Sequence, residues 1–333
     1  MNTELLHRCF SEEPEELASL FEEAFSLSRA RFSDVIHFFM PSMIHYDTPQ
    51  YTASNPYRFP GISVTGGACQ LQCEHCKGRL LATMIPATTP QKLIEVCTRI
   101  KERGAKGCLI SGGFNRDGKI PLMDFIPAMK RVKRDLGLDI VVHIGFVDSE
   151  LARALADAEI DAAMIDIIGS NKTIKDIYHL DAKIDDLDRS LSLLEEHHIH
   201  TVPHLIVGLH YGRMLGENDA LKLISKYRPT ALVIVAFMPI EHTPMEHVEP
   251  PQPLDIARVI LTSRLLMPDT PLLLGCARPR GSHKSETDIL AIKAGVNGIA
   301  YPSEEGYTFA RELGLKARFS EECCSLIYRE FAP

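Results

Sequence analysis

The sequence predicts an α/β fold: a (β/α)8 TIM-type barrel with an N-terminal helical extension and a C-terminal segment. Two observations lead there. From Gly61 onward, short apolar runs alternate with stretches of helical spacing, eight of each. The runs are continuous and rich in β-branched residues, which suits parallel strands buried on both faces. Eight such pairs close most naturally into a barrel, and a doubly wound open sheet is the alternative.

Residues 1–58 form the extension. Residues 12–28 read as an amphipathic helix with Leu17, Leu20, Phe21 and Phe25 on one side, and a second helix is expected over residues 30–39. Residues 41–60, rich in Pro, Asn, Tyr and Thr, read as an extended loop. The barrel domain with its tail then occupies residues 59–333. Its strands are expected at 62–65, 107–111, 140–144, 162–168, 202–209, 231–237, 271–276 and 296–300. Its helices are expected at 90–103, 122–136, 148–158, 184–197, 217–227, 254–266, 285–294 and 308–313. In a barrel the C-terminal strand ends carry the functional groups. Here those ends hold an unusual share of Cys, His, Asp and Arg.

The 333 residues are 45% hydrophobic and 24% charged, the balance of an ordinary globular chain. A net charge of -8 argues against general nucleic-acid binding, which needs a basic surface. The N-terminus lacks a basic start followed by an apolar run, and apolar stretches such as 231–240 fall far short of the roughly 20 residues of a membrane span. A cytoplasmic location is therefore expected. Nine cysteines, an odd number at uneven spacing, point to metal or thiol chemistry and away from a disulfide framework.

The strongest motif is Cys69-x3-Cys73-x2-Cys76, directly after the first barrel strand. Two metal centres fit this spacing. A structural zinc site normally needs four closed ligands, the fourth coming from His75 or a distant Cys. A cubane iron–sulfur cluster usually takes four thiolates, so three would leave one iron open to a small chelating ligand.

The cysteine spacing, the loop position after the first strand and the eight strand–helix units together resemble the radical S-adenosylmethionine (SAM) superfamily, over roughly residues 59–326. The resemblance implies a [4Fe-4S] cluster on Cys69, Cys73 and Cys76, with SAM on the open iron. It implies reductive cleavage of SAM to methionine and a 5′-deoxyadenosyl radical, which abstracts a hydrogen atom from substrate. His75 stands where the superfamily commonly has an aromatic near adenine, and its flat ring can still stack. Gly112 and Gly113 match a Gly-Gly-Glu motif that holds the methionine amino group, although Phe114 replaces the acid. Asp166 corresponds to a polar residue that contacts the ribose, and Gly208 to a segment beside adenine. Each has a plainer reading: a turn for the glycines, a helix cap or amide acceptor for the carboxylate. Arg278 suits fork-like recognition of a carboxylate, including that of SAM, or ligation of a cluster. His143, His204, His210 and His242 are candidates for lining the cavity.

Several segments look like a biotin-synthase-like subgroup: residues 59–67, 76–81, 166–169, 177–181 and 275–279. That subgroup includes the components of the two-protein (split) lipoyl synthase. Such a component implies sulfur insertion into a protein-bound octanoyl chain. It also implies a second radical SAM protein and a lipoyl carrier protein as partners, and an electron donor such as ferredoxin or flavodoxin. Sulfur-inserting members draw sulfur from a second, sacrificial cluster. Cys9, Cys276, Cys323 and Cys324 are its candidate ligands here, since terminal segments can fold over a barrel mouth. Cys97 and Cys108 read as core residues. Two alternatives stay open: a maturase or methylase acting on a small cofactor precursor, and a non-enzymatic barrel with structural zinc.

Overall fold

The computed structural model describes residues 8–10, 17–43 and 46–331. The start of the helix expected over residues 12–28 lies partly outside these; its described part is α1 (Ala18–Phe32). It is followed by β1 (Val35–Phe39), a two-stranded antiparallel pair β2 (Asp47–Thr48) and β3 (Tyr51–Thr52), and β4 (Gly61–Ser63). Then come β5 (Ile85–Pro86), α2 (Pro90–Glu102), β6 (Gly107–Ser111), α3 (Ile126–Leu136), β7 (Asp139–Ile144), α4 (Ser149–Asp157), β8 (Ala162–Asp166), α5 (Asn171–Tyr178) and α6 (Ile184–Glu196). The chain continues with β9 (Thr201–Val207), α7 (Glu217–Ile224), β10 (Leu232–Ala236), α8 (Pro253–Leu266), β11 (Leu272–Leu274), α9 (Ser282–Lys293), β12 (Gly298–Ala300), α10 (Glu304–Glu312) and β13 (Lys316–Ser320).

Eleven strands make one curled sheet, in the order β13-β1-β12-β11-β10-β9-β8-β7-β6-β4-β5, and every pairing in it is parallel. The eight expected strands are all present, as β4 and β6 through β12 in consecutive neighbourhood. This is the TIM-type barrel read from the sequence, with β5 and β13 as sheet edges. The local chemistry agrees with the layout. Asp148, Ser170 and Ser303 cap helices by accepting the backbone N–H of Leu151, Thr173 and Gly306. Pro90 sits at the first turn of α2 behind its Thr89 cap.

Two longer strands, β1 and β13, and the three short ones β2, β3 and β5 escaped the sequence reading. The helix expected over residues 30–39 is wrong in its second half: the chain turns at Ser33 (φ 66°) and enters the sheet as β1, between β12 and β13. Ile36 and Phe38 are fully buried there, so the 1–58 segment supplies part of the barrel wall and is more than a helical and loop extension. β13 is an edge strand with alternating exposure, and its Lys-Ala-Arg-Phe-Ser sequence has no apolar run to betray it.

The C-terminal segment leaves the top of β13 and runs down the inside of the curl. The short helix Cys324–Glu330 has its first residues buried, with Ser325 against Met164 of β8. Lower down, the Tyr328 hydroxyl donates to the Asp161 carbonyl, and Arg329 pairs with Asp139 and Asp161 near the N-terminal strand ends. The segment thus fills the lumen from below and brings Cys323 and Cys324 to its upper part.

Candidate active site

The cluster loop follows β4 and is held from several sides. Ser63 Oγ donates to the Gly66 carbonyl, and Gln70 N–H donates to the Phe114 carbonyl. The Gly113 N–H donates to Thr65 Oγ1 at 2.6 Å. A Cβ on Gly113 would overlap the Ala68 carbonyl oxygen and stand 2.6 Å from Cys69 Cα. Gly112 and Gly113 therefore let β6 approach the cysteine loop closely.

The Cys73 and Cys76 thiols and a ring nitrogen of His75 lie within 4.8 Å of one another, and Cys69 stands outside that group, its sulfur 3.9 Å from the Phe114 carbonyl. Tetrahedral zinc would draw any two of its sulfur ligands to about 3.8 Å of each other. Three thiols on one loop would leave one iron of a cubane open, and the tight Cys73–His75–Cys76 group also has the spacing of a zinc site. The Cys73–Cys76 hydrogen bond raises Cys73 and lowers Cys76. His75 packs against Tyr178, with ring centroids 5.5 Å apart and planes 49° to each other. His75 Nδ1 and the Tyr178 hydroxyl are both buried without a protein partner.

Deeper in the lumen, His143 Nε2 lies 3.2 Å from Asp166 Oδ1. Enclosure disfavours both charges, but each partner outweighs it: His143 is raised and Asp166 lowered. His204, 6.0 Å from His143 between ring centroids, is pushed down to about 4 by burial and then by the charge of His143. The site thus holds a carboxylate that favours a charged His143, beside a His204 that burial keeps neutral. His210 bonds Thr173 Oγ1 at 3.3 Å on an outer loop, and His242 is exposed; neither joins this group.

The spare cysteines separate. Cys276 keeps solvent-exposed surface, and burial of its thiol and then Cys323 push it up. Cys323 is lowered, first by the hydrogen bond from Cys324, with burial opposing and Ser325 and His143 adding. Cys324 is raised by the same bond. Cys276 is thus sensitive to Cys323, Cys324 to Cys276, and Cys323 to His143, although the three thiols do not close into a tight ligand group. Cys9 is not among them: it is fully buried in the helical layer, where its carbonyl accepts from Arg258 of α8. Cys97 and Cys108 are fully buried, as expected of core thiols.

Two further expectations need correction. Arg278 is 3% exposed and spends all its donors on protein. Its Nε and Nη2 pair with Asp288 at 2.8 and 3.2 Å, and Nη1 and Nη2 donate to the carbonyls of Gly275, Ala300 and Tyr301. No N–H remains for a cofactor carboxylate; the residue ties strand ends together. Gly208, at φ 72°, is packed against the Pro251 ring, and its N–H is taken by Glu217 Oε1 at 2.9 Å. Its role is the turn after β9.

Sequence reasoning missed the latch on the cluster loop. Glu74 N–H donates to the Ile177 carbonyl, and the Glu74 carboxylate accepts from His179 Nε2 at 2.8 Å and Lys77 Nζ at 2.9 Å. Only the spatial return of α5 onto the loop reveals it.

Residues 234–319 match the Biotin and Thiamin Synthesis associated domain. The chain is 25% identical over 250 residues to biotin synthase of Allorhizobium ampelinum, covering 72% of this chain and 74% of that protein. It is 27% identical over 253 residues to biotin synthase of Zymomonas mobilis, covering 72% of each. Its fold is similar to those of methylornithine synthase (PylB), with TM-score 0.64, 15% identity and coverage of 99% and 92%, and of HydG, a maturase of the [FeFe]-hydrogenase, with TM-score 0.67, 15% identity and coverage of 98% and 72%. Together with the cysteine motif, these likenesses make the chain similar to biotin synthases, and its fold to those of radical SAM enzymes.

Proposed function

We propose that this radical SAM enzyme is a lipoyl-synthase-type sulfurtransferase that inserts sulfur into a protein-bound octanoyl chain. A [4Fe-4S] cluster on Cys69, Cys73 and Cys76 supplies the electron that cleaves SAM to methionine and a 5′-deoxyadenosyl radical. The donor set and the orphaned His75 and Tyr178 atoms fit such a group. Gly112 and Gly113 hold the loop close, and on this reading Asp166 would meet the ribose of SAM.

The observation that carries sulfur insertion is the second set of thiols, Cys276, Cys323 and Cys324, with Cys323 sensitive to His143. Sulfur insertion needs a sulfur source facing the substrate carbon, and on this reading these thiols would hold one as a second iron–sulfur cluster. On this reading a substrate carbon would lie near the His143–Asp166 pair, with the radical source and the sulfur source on either side of it. On this reading the chain works with a second radical SAM protein, a lipoyl carrier protein and a ferredoxin or flavodoxin.

The test uses a perdeuterated octanoyl carrier protein under anaerobic reducing conditions. Deuterium in the 5′-deoxyadenosine supports the reading. SAM cleavage without deuterium transfer favours the maturase or methylase reading, for which the ion pair in the lumen would serve as a polar grip on a small precursor. Zinc in place of iron in anaerobically purified protein would retire both.

A further inference from the structure

We propose that the Tyr178 hydroxyl donates a hydrogen bond to a sulfur of the cluster held by Cys69, Cys73 and Cys76, and so sets how readily that cluster is reduced. This rests on the cluster reading above and adds to it a residue outside the cysteine motif.

Tyr178 is the last residue of α5, and its neighbours clamp it to the cluster loop. On one side the Ile177 carbonyl accepts from Glu74 N–H at 2.9 Å. On the other, His179, in the left-handed region at φ 59°, donates to the Glu74 carboxylate. Glu74 lies between Cys73 and His75, so Tyr178 is fixed relative to the sulfur ligands from both ends. Its ring then meets His75, whose own ring nitrogen is within 4.8 Å of the Cys73 and Cys76 sulfurs.

The hydroxyl is the unexplained part. Tyr178 is 6% exposed, and its oxygen has no partner in the protein. Buried hydroxyls nearly always have one. The small cavity beside it is walled by Leu71, Phe114, Ile165 and other apolar side chains, and apart from Tyr178 only Asp166 brings a polar side chain. Asp166 Oδ1 is already committed to His143. Water needs two to four polar partners to settle, which this wall scarcely offers. A phenol is an O–H donor as well as an acceptor, so the hydroxyl has a hydrogen to give. The acceptor this geometry lacks is an electron-rich atom at the cysteine loop. Hydrogen bonds to cluster sulfurs favour the more negative, reduced state and raise its potential.

The experiment compares the wild-type chain, Tyr178→Phe and a chain with fluorotyrosine at position 178, each anaerobically reconstituted. Iron and sulfide are counted, and the one-electron midpoint potential is followed by electron paramagnetic resonance. Phe keeps the ring against His75 and removes only the donor. It should retain the iron and shift the potential to more negative values, by the equivalent of about a tenfold loss in reducibility, or about 59 mV for one electron. Fluorotyrosine, a stronger donor, should shift it the other way. Unchanged potentials in both iron-loaded variants overturn the Tyr178 assignment and leave the cluster reading intact. A wild-type chain that binds no iron overturns the cluster reading and this inference with it. Loss of iron in Tyr178→Phe alone, with an unshifted potential in the fluorotyrosine chain, also overturns the assignment, since Tyr178 would then serve packing.

Discussion

His143 Nε2 and Asp166 Oδ1, on neighbouring strands β7 and β8, meet at 3.2 Å in the lumen and form its charged centre. The charge of Asp166 raises the Tyr178 phenol beside the cysteine loop, and that of His143 lowers the Cys323 thiol.

Asp166→Asn removes the partner that holds the His143 imidazolium. Burial then dominates, and the His143 titration followed by NMR should fall from above to below about 6.5. The stability effect has a defined window. The folded pKa of His143 is raised, so its contribution is complete below about pH 6.5 and fades as pH climbs through the raised value. That of Asp166 is depressed, so its contribution is complete above about pH 3.9 and fades as pH falls through the lowered value. The wild-type advantage over the variant in urea unfolding should therefore peak between about pH 4 and 6.5 and shrink toward alkaline pH.

Gly113→Ala places a methyl group against Ala68 and Cys69 backbone. The expected cost is about 1–3 kcal/mol of overpacking, taken up by the cysteine loop. Iron retained after anaerobic reconstitution should drop while far-UV circular dichroism stays unchanged. Full iron content would show that β6 can retreat without moving Cys69.

Arg278→Ala leaves Asp288, itself fully buried, without its counter-charge. A loss of about 3–5 kcal/mol in unfolding free energy is expected, as for other broken buried pairs. Arg278→Lys should recover only part of it, because an ammonium cannot reproduce the fork to Asp288 together with three carbonyl contacts. A near-neutral Arg278→Ala in the same denaturation assay would contradict the structural role.

Cys73→Ala should abolish SAM cleavage and leave the barrel folded, because the residue sits on a loop after β4 and outside the strands. Cys276→Ser and Cys323→Ser should behave differently. If the lumen thiols hold a second cubane, each lowers the iron count from about eight toward about four per chain and spares SAM cleavage. Four irons in the wild type would remove the sulfur-source role from these thiols.

The amino-acid sequence by itself determined the eight central strands and the cysteine loop. Both depend on local pattern: continuous β-branched runs can bury two faces only in a parallel sheet, and a C-x3-C-x2-C spacing needs no distant residue to be recognised. The tertiary structure decided the rest. β1 and β13 are strands because the sheet offers them a neighbour; residues 30–39 carry a helix-like start, and Lys316–Ser320 carries no apolar run. Arg278 looked like a carboxylate fork and is one, but for Asp288 ten residues on, a pairing made by the return of α9. Cys9 and Cys323 are equally terminal in sequence, yet one is packed in the helical layer and the other feels the charge of His143. The Tyr178 hydroxyl became notable only when α5 folded back on Glu74, because an orphaned donor is defined by what surrounds it in space and not by its neighbours in the chain.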